Sequence, residues 1–246
     1  MEVLGLDIGG TGIKGAVVDT ESGEMLTERY RLLTPQPATP KAMIVTIGEI
    51  VSHFDWQGPV GCGFPSAIKN GVVLMAANVS RKWIGFNLEE ALRELTGCDV
   101  VVLNDADAAG LAEMGFGAGR SQDGVVLIIT LGTGIGVALF VNGQLVPNLE
   151  LGHIEVGGKD ADNWTSAIVR EEKNLSWKKW AKRVDKYLNT MEYLLWPDLI
   201  IIGGGVSKEH KKFFPYLTTQ TQVVPAEMRN QAGIVGAAIA AATRAR

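Results

Sequence analysis

The 246-residue chain has few cysteines and no excess of positive charge. Its two cysteines, Cys62 and Cys98, lie far apart and form no metal-binding spacing, so we expect two buried thiols in a reducing compartment. The net charge of −4, without a basic stripe, argues against nucleic acid as the main partner. A protein of this charge needs a locally positive surface to bind a polyanion.

The sequence also lacks a long hydrophobic run. No apolar stretch reaches the length that crosses a bilayer, and the N-terminus has no basic region followed by an apolar signal segment. We therefore expect a cytoplasmic protein without membrane association. The length and apolar content allow one large or two small domains with a substantial core.

Glycine, in contrast, is abundant, and it is concentrated in a motif near the start. An apolar run with one carboxylate, Asp7, leads into Gly9-Gly10-Thr11-Gly12, and Lys14 follows. Glycines let backbone N–H groups approach an anion closely, while Thr11 and Lys14 supply a hydroxyl and an ammonium group. The motif therefore predicts a phosphate-binding turn.

The same letters also satisfy the dinucleotide pattern G-x-G-x-x-G, which requires a helix directly after the glycines. Here Gly15 is followed by short and β-branched residues, Ala16 to Val18, and then by turn-forming residues from Glu21 to Glu24. The pattern predicts strand, glycine turn, strand, turn and strand, which disfavours a dinucleotide site. A glycine-rich hairpin without a ligand remains an alternative.

The second half of the chain repeats this pattern. An apolar strand, Val125 to Leu131, precedes the glycine turn from Gly132 to Gly136, and a second strand ends at Val141. Asn142-Gly143 is a strong hairpin signal before a third strand. The repeat suggests an internal duplication, with two halves facing one cleft and a phosphate-binding turn on each wall.

Two polar residues follow the apolar strand Val100 to Leu103. A kinase that acts on an alcohol needs a carboxylate to accept the hydroxyl proton, and Asp105 lies where catalytic groups of α/β sheets collect. Asn104 beside it can hydrogen-bond a substrate hydroxyl in either sense. The alternative is structural, with Asp105 or Asp107 serving as a turn or helix cap.

A second polar cluster lies in the sequence ELGHIE. Glu150, His153 and Glu155 suit a cradle for sugar hydroxyls, whereas a zinc site is disfavoured because no second His or Cys lies at ligand spacing. A solvated loop with an incidental histidine is the alternative. Further on, Trp177 and Trp180 keep a helical spacing that is typical of core residues, and the basic run Lys208 to Lys212 is typical of a solvated face.

Taken together, these segments closely resemble the ROK family of sugar kinases. The segments are DIGGTGIKGAVVD, GFPSAIKNG, AANV with WIG after it, LNDADAAG, LGTGIG, NLELGHIE and IIIGGGVS. The resemblance covers essentially the whole chain and is greatest to the branch that phosphorylates glucose with polyphosphate. It implies an α/β fold of the actin-like, hexokinase-like (ribonuclease H-like) type, with duplicated domains around a central cleft. The expected domains are 1–105 and 106–230, with a C-terminal helix at about 231–246 near the first.

The resemblance also implies roles for individual residues. Asp105 would be the base that deprotonates the 6-hydroxyl of glucose. The sugar ligands would be Asn78, Asn104, Asp105, Glu150, His153 and Asp162. The phosphate ligands would be Asp7, Gly9, Gly10, Thr11, Gly12, Lys14, Gly132, Thr133 and Gly134. The turn that lies against the nucleotide would be Gly203, Gly204 and Gly205.

The expected activity is transfer from inorganic polyphosphate, and also from ATP, to glucose, with Mg²⁺ bridging phosphate oxygens near Asp7. The segment GGKDADNW lacks the cysteines of the family zinc motif, so we expect no zinc. Asp162 stands where the family has a longer Glu and is expected to reach the sugar through water. Arg81 and Lys82 are candidates for holding a polyphosphate tail.

The resemblance further implies a homodimer. The near alternative is an ATP-dependent glucokinase of the same family. A different class is a non-catalytic sugar-binding or regulatory protein. DNA-binding relatives carry an N-terminal helix-turn-helix, whereas this chain enters its first strand at Val3, so a role in binding nucleic acid is not expected.

Overall fold

The computed structural model describes residues 1–76 and 79–244. The strands are β1 (Glu2–Ile8), β2 (Gly12–Asp19), β3 (Tyr30–Leu33), β4 (Val60–Phe64), β5 (Ile68–Lys69), β6 (Val72–Val73), β7 (Val100–Asn104), β8 (Val125–Leu131), β9 (Ile135–Val141), β10 (Gln144–Val146), β11 (Leu199–Gly203) and β12 (Gln222–Pro225). The α-helices are α1 (Pro40–His53), α2 (Leu88–Thr96), α3 (Asp105–Phe116), α4 (Asp162–Thr165), α5 (Ala167–Glu172), α6 (Trp177–Leu195) and α7 (Ala232–Arg244). Short 3₁₀ helices lie at Arg81–Trp83, Leu151–His153, Gly205–Lys212, Phe214–Tyr216 and Arg229–Gln231.

The chain divides into two compact units. The first comprises Met1–Phe116 and the segment that starts at Gln231, and the second comprises Gly117–Asn230. The first sheet has the order β3-β2-β1-β4-β7, and the second has the matching order β10-β9-β8-β11-β12. In each sheet three antiparallel strands continue into two parallel ones. The predicted duplicated α/β fold is confirmed. The expected domain limits of 1–105 and 106–230 stay a prediction.

The predicted opening hairpin is present. β1 pairs with β2 so that Asp7 lies opposite Lys14, and the N–H of Gly9 donates to the carbonyl of Gly12 at 3.0 Å. The glycines therefore join two strands with no helix behind them, which excludes the dinucleotide interpretation. The predicted third strand is β3, which begins at Tyr30, and before it Met25 forms a single bridge to Val18.

Helix α2 shows how local residues set helix ends. It begins after Asn87, whose side chain accepts from the N–H of Glu90 at 3.1 Å, and it ends at Gly97, a left-handed C-cap with φ of 70°. The four-residue β12 has no comparable signal, because its sequence, QVVP, is too short to show a strand pattern.

The alanine-rich helix α7 packs against β1, β4 and α3 in the first unit. Glycines make this close packing possible, because a Cβ at Gly61 would collide with the carbonyl of Ala237. The same holds at Gly236 on α7, which lies against the carbonyl of Ala108 on α3. The helix thereby closes one face of the sheet that presents Asp7 and Asp105.

The core of the second unit forms around α6. Trp180, Val184 and Leu188 are fully buried, and the indole N–H of Trp180 donates to the carbonyl of Thr165 at 2.8 Å. The core assignment was therefore right for Trp180. Trp177 also packs against this core, but it is only half-buried and lines a cavity as well.

Cys62 and Cys98 are both buried free thiols, and complete burial raises the pKa of Cys62. Among the described residues, no helix combines the length and apolar character required to span a bilayer.

Candidate active site

The first phosphate turn is fixed on one side and open at its tip. The hydroxyl of Thr34 donates to the carbonyl of Gly9 at 2.6 Å, and the Arg31 guanidinium donates to the carbonyl of Thr11 at 3.2 Å. Gly10 and Thr11 are exposed, and a Cβ built at Gly10 would meet no atom within 4 Å. The turn thus leaves room for an anion to approach its backbone.

A charged pair flanks this turn. The Lys14 ammonium donates to the Asp7 carboxylate at 2.9 Å, with side chains 28% and 22% exposed. The pair follows from strand register, since the two residues lie opposite each other on β1 and β2. Both predicted phosphate-site residues therefore lie beside the turn, with the cation already held in place.

Asn104 caps the helix that carries Asp105. Its side-chain oxygen accepts from the N–H groups of Ala106 and Asp107 at 2.8 and 3.1 Å, and its amide donates to the carbonyl of Ser66 at 3.1 Å. A cap at Asp105 or Asp107 was the structural alternative to catalysis; the structure shows Asn104 as a cap, while Asp105 also accepts from the N–H of Ala106. Among the described residues, the carbonyl of Ser66 is the acceptor of the Asn104 amide, whose second N–H could donate to a further group.

Asp105 is the first residue of α3, directly after β7, and is half-buried. Its carboxylate accepts from the N–H of Ala106 at 2.8 Å. The N-terminus of a helix stabilises a negative charge, so the position suits an ionised general base.

Ser66 is a site residue that the sequence analysis missed. Its hydroxyl donates to the carbonyl of Met75 at 2.8 Å and accepts from the N–H of Met75 at 3.2 Å, while its own carbonyl holds Asn104. The buried serine thus ties the loop before β5 to the segment after β6. The predicted sugar ligand Asn78 lies outside the described residues.

The second predicted phosphate turn has a backbone hydrogen bond like that of the first, but the charged side chain beside it is different. The N–H of Gly132 donates to the carbonyl of Gly134 at 2.9 Å, and Thr133 is exposed at the tip. The carboxylate of Asp162 accepts from the N–H of Ile135 at 2.5 Å and lies against Gly134, where a Cβ would be 2.7 Å from it. A carboxylate therefore supports this turn, whereas Lys14 lies beside the first one.

The predicted sugar loop packs against the same strand. Glu150 precedes the 3₁₀ helix that ends at His153, and Gly152 within this helix lies so close to the carbonyl of Ile135 that no side chain fits. His153 Nδ1 lies 3.2 Å from the carboxylate of Asp160, a residue that the sequence analysis did not select. Asp160 therefore orients the imidazole.

Carboxylates in this loop influence one another. Partial burial raises the pKa of Glu150; the electrostatic interaction with His153 opposes this increase and the negative charge of Asp162 adds to it. Partial burial also raises the pKa of Asp162, although the hydrogen bond from Ile135 opposes the shift. Glu150, His153 and Asp162 therefore lie near one another, and their role as sugar ligands stays a prediction.

Asp162 and Asp160 already use part of their hydrogen-bonding capacity. Ligand atoms of His153, Asp160 and Asp162 lie within 4.8 Å of one another, a spacing that a cation could use. However, Asp160 accepts from the N–H of Asn163 at 3.0 Å, and Asp162 is held by Ile135. The cluster is at least as well suited to neutral hydroxyls as to a metal ion.

The glycine turn after β11 lies next to the second phosphate turn. Gly204 has φ of 80° and lies against the backbone of Leu131, where a Cβ would collide. A cavity of about 620 Å³ is lined by Gly132, Thr133 and Gly205, among others. Two of the three predicted glycine motifs are thus brought to one cavity.

A model of the ROK family matches residues 3–166. The chain belongs to the ROK family. Full-length relatives agree with this assignment. The chain is 50% identical to polyphosphate glucokinase from Mycobacterium tuberculosis over 238 residues, which is 96% of this chain and 90% of that protein.

Two solved structures extend the comparison. The crystal structure of inorganic polyphosphate/ATP-glucomannokinase from Arthrobacter sp. strain KM is similar to this ROK protein with a TM-score of 0.95 and 46% identity, covering 99% of each chain. A ROK family glucokinase from Streptomyces griseus, solved with glucose and AMPPNP, gives a TM-score of 0.85 and 27% identity, covering 99% of this chain and all of that one.

Proposed function

We propose that this ROK protein transfers the terminal phosphoryl group of inorganic polyphosphate, and also that of ATP, to the 6-hydroxyl of glucose. The observation that carries the proposal is a carboxylate, Asp105, placed at a helix N-terminus after β7 in a fold that supplies two open phosphate turns. The similarity to polyphosphate glucokinase and to polyphosphate/ATP-glucomannokinase supports the choice of donors.

The first unit supplies the chemistry in this proposal. Asp105 accepts the proton of the glucose 6-hydroxyl while that oxygen forms a bond to the terminal phosphorus. The bond to the next phosphate breaks, and the shortened polyphosphate or ADP leaves with the electron pair. Lys14 and the amides of Gly10 and Thr11 stabilise the negative charge on the transferring group.

Within each unit, we propose residues that bind sugar hydroxyls. In the first unit the Asn104 amide donates to a hydroxyl through the N–H that does not bind Ser66, while its oxygen holds the start of α3. In the second unit Glu150 and His153 bind further hydroxyls, with His153 oriented by Asp160. Asp162 has a shorter side chain than the Glu of the family and accepts a hydrogen bond from the N–H of Ile135, so it reaches the sugar through water.

Mg²⁺ fits the residues beside the first turn. Mg²⁺ in kinases binds one or two carboxylates together with donor phosphates, and Asp7 is a single carboxylate beside a turn that is open at Gly10. Asp7 would hold the ion with the phosphate oxygens, and the ion would supply charge neutralisation. The cytoplasmic location, the homodimer, the absence of zinc and the two-domain limits are proposals that rest on the family resemblance.

Glucose phosphorylation measured with each donor separately, in the presence of Mg²⁺, tests the proposal. We expect turnover with polyphosphate and with ATP. Activity with ATP and none with polyphosphate would support the alternative, an ATP-dependent glucokinase. Glucose binding without turnover by either donor would indicate a non-catalytic sugar-binding protein.

A further inference from the structure

Two cations lie near the ring of Trp177, at the start of α6. The Arg170 guanidinium lies 4.0 Å from the centroid of its ring, and the Lys212 ammonium lies 5.4 Å from it. Phe213 stacks beside the ring at 6.2 Å with an interplanar angle of 13°. The ring therefore acts as a platform that holds two positive charges in fixed positions.

These groups line the cavity that begins at the second phosphate turn. Gly132, Thr133, Arg170, Trp177 and Lys212 all border the same space of about 620 Å³. An anion bound at the turn therefore has both cations within the same cavity. The second hairpin itself, residues 125–141, contains no Lys or Arg, so its positive charge comes from these neighbouring elements.

Each of the two cations forms an ion pair with a carboxylate, and exposure to solvent weakens both pairs. Lys212 donates to Glu209 at 2.6 Å, with side chains 53% and 45% exposed, and the hydrogen bond from Lys212 lowers the pKa of Glu209. Arg170 lies 3.9 Å from Glu171, a mostly exposed carboxylate. Exposed pairs of this kind contribute little stability, so a polyanion with several charges can displace them.

Arg170 also has unused hydrogen-bonding capacity. Its Nε is buried and has no hydrogen-bond partner among the residues that the structure describes. An unsatisfied buried donor is unfavourable, and the stacking on Trp177 holds the guanidinium in place despite it. A small shift toward a phosphate oxygen would satisfy this donor.

Positive charge continues beyond the cavity. Residues 170–186 contain seven Lys or Arg and three Asp or Glu, and residues 208–212 contain three Lys and one Glu. Lys178, next to Trp177 on α6, lies 5.8 Å from the ring centroid of Tyr216. In a protein of net charge −4 this local excess is the positive surface that a polyanion requires.

We propose that Arg170 and Lys212, held on Trp177, bind the phosphates of an inorganic polyphosphate that follow the transferred one. The site makes the donor preference depend on chain length, because a longer chain reaches more cations. The inference rests on the proposed function. Arg81 and Lys82, which are exposed on a 3₁₀ helix of the first unit, stay a separate prediction for holding the tail.

The test compares Arg170→Met and Lys212→Gln with a matched control, Lys41→Gln, which removes an exposed charge on α1, outside the cavity and outside the positive segments 170–186 and 208–212. KM and kcat are measured with long-chain polyphosphate, tripolyphosphate and ATP. We expect each cavity variant to raise KM for the long chain about tenfold, with a change of about twofold or less for tripolyphosphate and ATP. The salt dependence of the long-chain KM becomes weaker, and the control matches the wild type.

Calorimetric binding of long-chain polyphosphate without glucose separates the two proposals. If the cavity variants bind and use long-chain polyphosphate as the wild type does, the proposed tail-binding site is wrong, and the proposed function is unaffected. A raised KM for ATP alone also overturns it, because the cavity then serves a nucleotide. If the wild type binds polyphosphate through these residues but transfers no phosphoryl group, only the proposed donor is refuted. If the wild type does not bind polyphosphate, both the proposed donor and the proposed site are refuted.

Folding is checked by thermal melting. Lys212 is exposed, so Lys212→Gln tests the site even if Arg170→Met is unstable. Arg170→Lys retains the charge but not the planar stacking, and we expect it to recover part of the long-chain affinity.

Discussion

The two glycine turns have the same backbone plan and opposite electrostatics. Each joins the first two strands of its sheet, and in each an N–H closes the turn onto a carbonyl two or three residues later. The first carries its own cation, Lys14, balanced by Asp7, whereas the second is supported by the carboxylate of Asp162. A duplicated scaffold can thus keep its geometry while its two turns specialise.

The difference has a structural origin. Cross-strand register in the first hairpin places an ammonium beside the turn, within hydrogen-bond distance of one carboxylate. In the second unit the cations lie on α5 and on the 3₁₀ helix Gly205–Lys212. We infer that the first turn serves the transferring phosphoryl group and the second serves the remainder of the donor.

Removing the base of the first unit gives the largest expected effect. Asp105→Asn keeps an oxygen for the N–H of Ala106 but cannot accept the hydroxyl proton. We expect kcat to fall by about 10²–10⁴-fold while glucose still binds, as measured by steady-state kinetics and calorimetry. Glu94→Gln, on exposed surface of the same unit, is the control. Comparable turnover in Asp105→Asn would remove Asp105 from the role of base.

Removing the cation of the first turn tests the proposed specialisation directly. Lys14→Gln eliminates the ammonium that stabilises the transferring group, so we expect kcat to fall about 100-fold with every donor. This differs from the cavity variants of the second unit, whose effect falls on KM for long chains.

Lys41→Gln, an exposed lysine on α1, controls for the loss of charge. If Lys14→Gln instead raised KM selectively for long-chain polyphosphate, the two turns would not have the separate roles that we assign to them.

Glycine substitutions separate packing from ligand access. A Cβ at Gly152 collides with the carbonyl of Ile135, whereas one at Gly10 meets nothing. Overpacking costs about 1–3 kcal/mol, so we expect Gly152→Ala to lower Tm by about 2–12 °C and to raise KM for glucose. Gly10→Ala should melt as the wild type does. Equal melting temperatures for both variants would mean that the sugar loop does not depend on this contact.

The smallest effect concerns Glu150. Its raised pKa means that the unfolded chain releases this proton at lower pH than the folded protein, so ionisation destabilises the fold above the ordinary Glu pKa. Glu150→Gln should therefore raise Tm slightly at pH 7, by less than about 2 °C, and the gain should vanish as pH falls below about 4.

Glu155→Gln, an exposed neighbour of Glu150, should change Tm at neither pH. A stabilisation by Glu150→Gln that persists at low pH would contradict an origin in the ionisation of this carboxyl group. Thermal melts of both variants at the two pH values make the comparison.

Features with local causes were predictable from the sequence. The hairpin around Gly9–Gly12 and the helix between Asn87 and Gly97 depend on neighbours a few residues away, so turn and capping residues identify them. The capping role of Asn104 was not predictable, because three residues within four positions, Asn104, Asp105 and Asp107, can each cap a helix. Only the backbone direction at the end of β7 selects one of them.

By itself, the sequence determined the repeated strand and glycine-turn pattern and the kinds of side chain at each turn, since alternation and turn chemistry act over short distances. The tertiary structure alone decided that Asp160 orients His153 and that Arg170, Trp177 and Lys212 meet at one cavity. Those residues lie on separate elements, and the packing of α5, α6 and the helix after β11 brings them together. Side-chain convergence of this kind leaves no periodic signal in the chain.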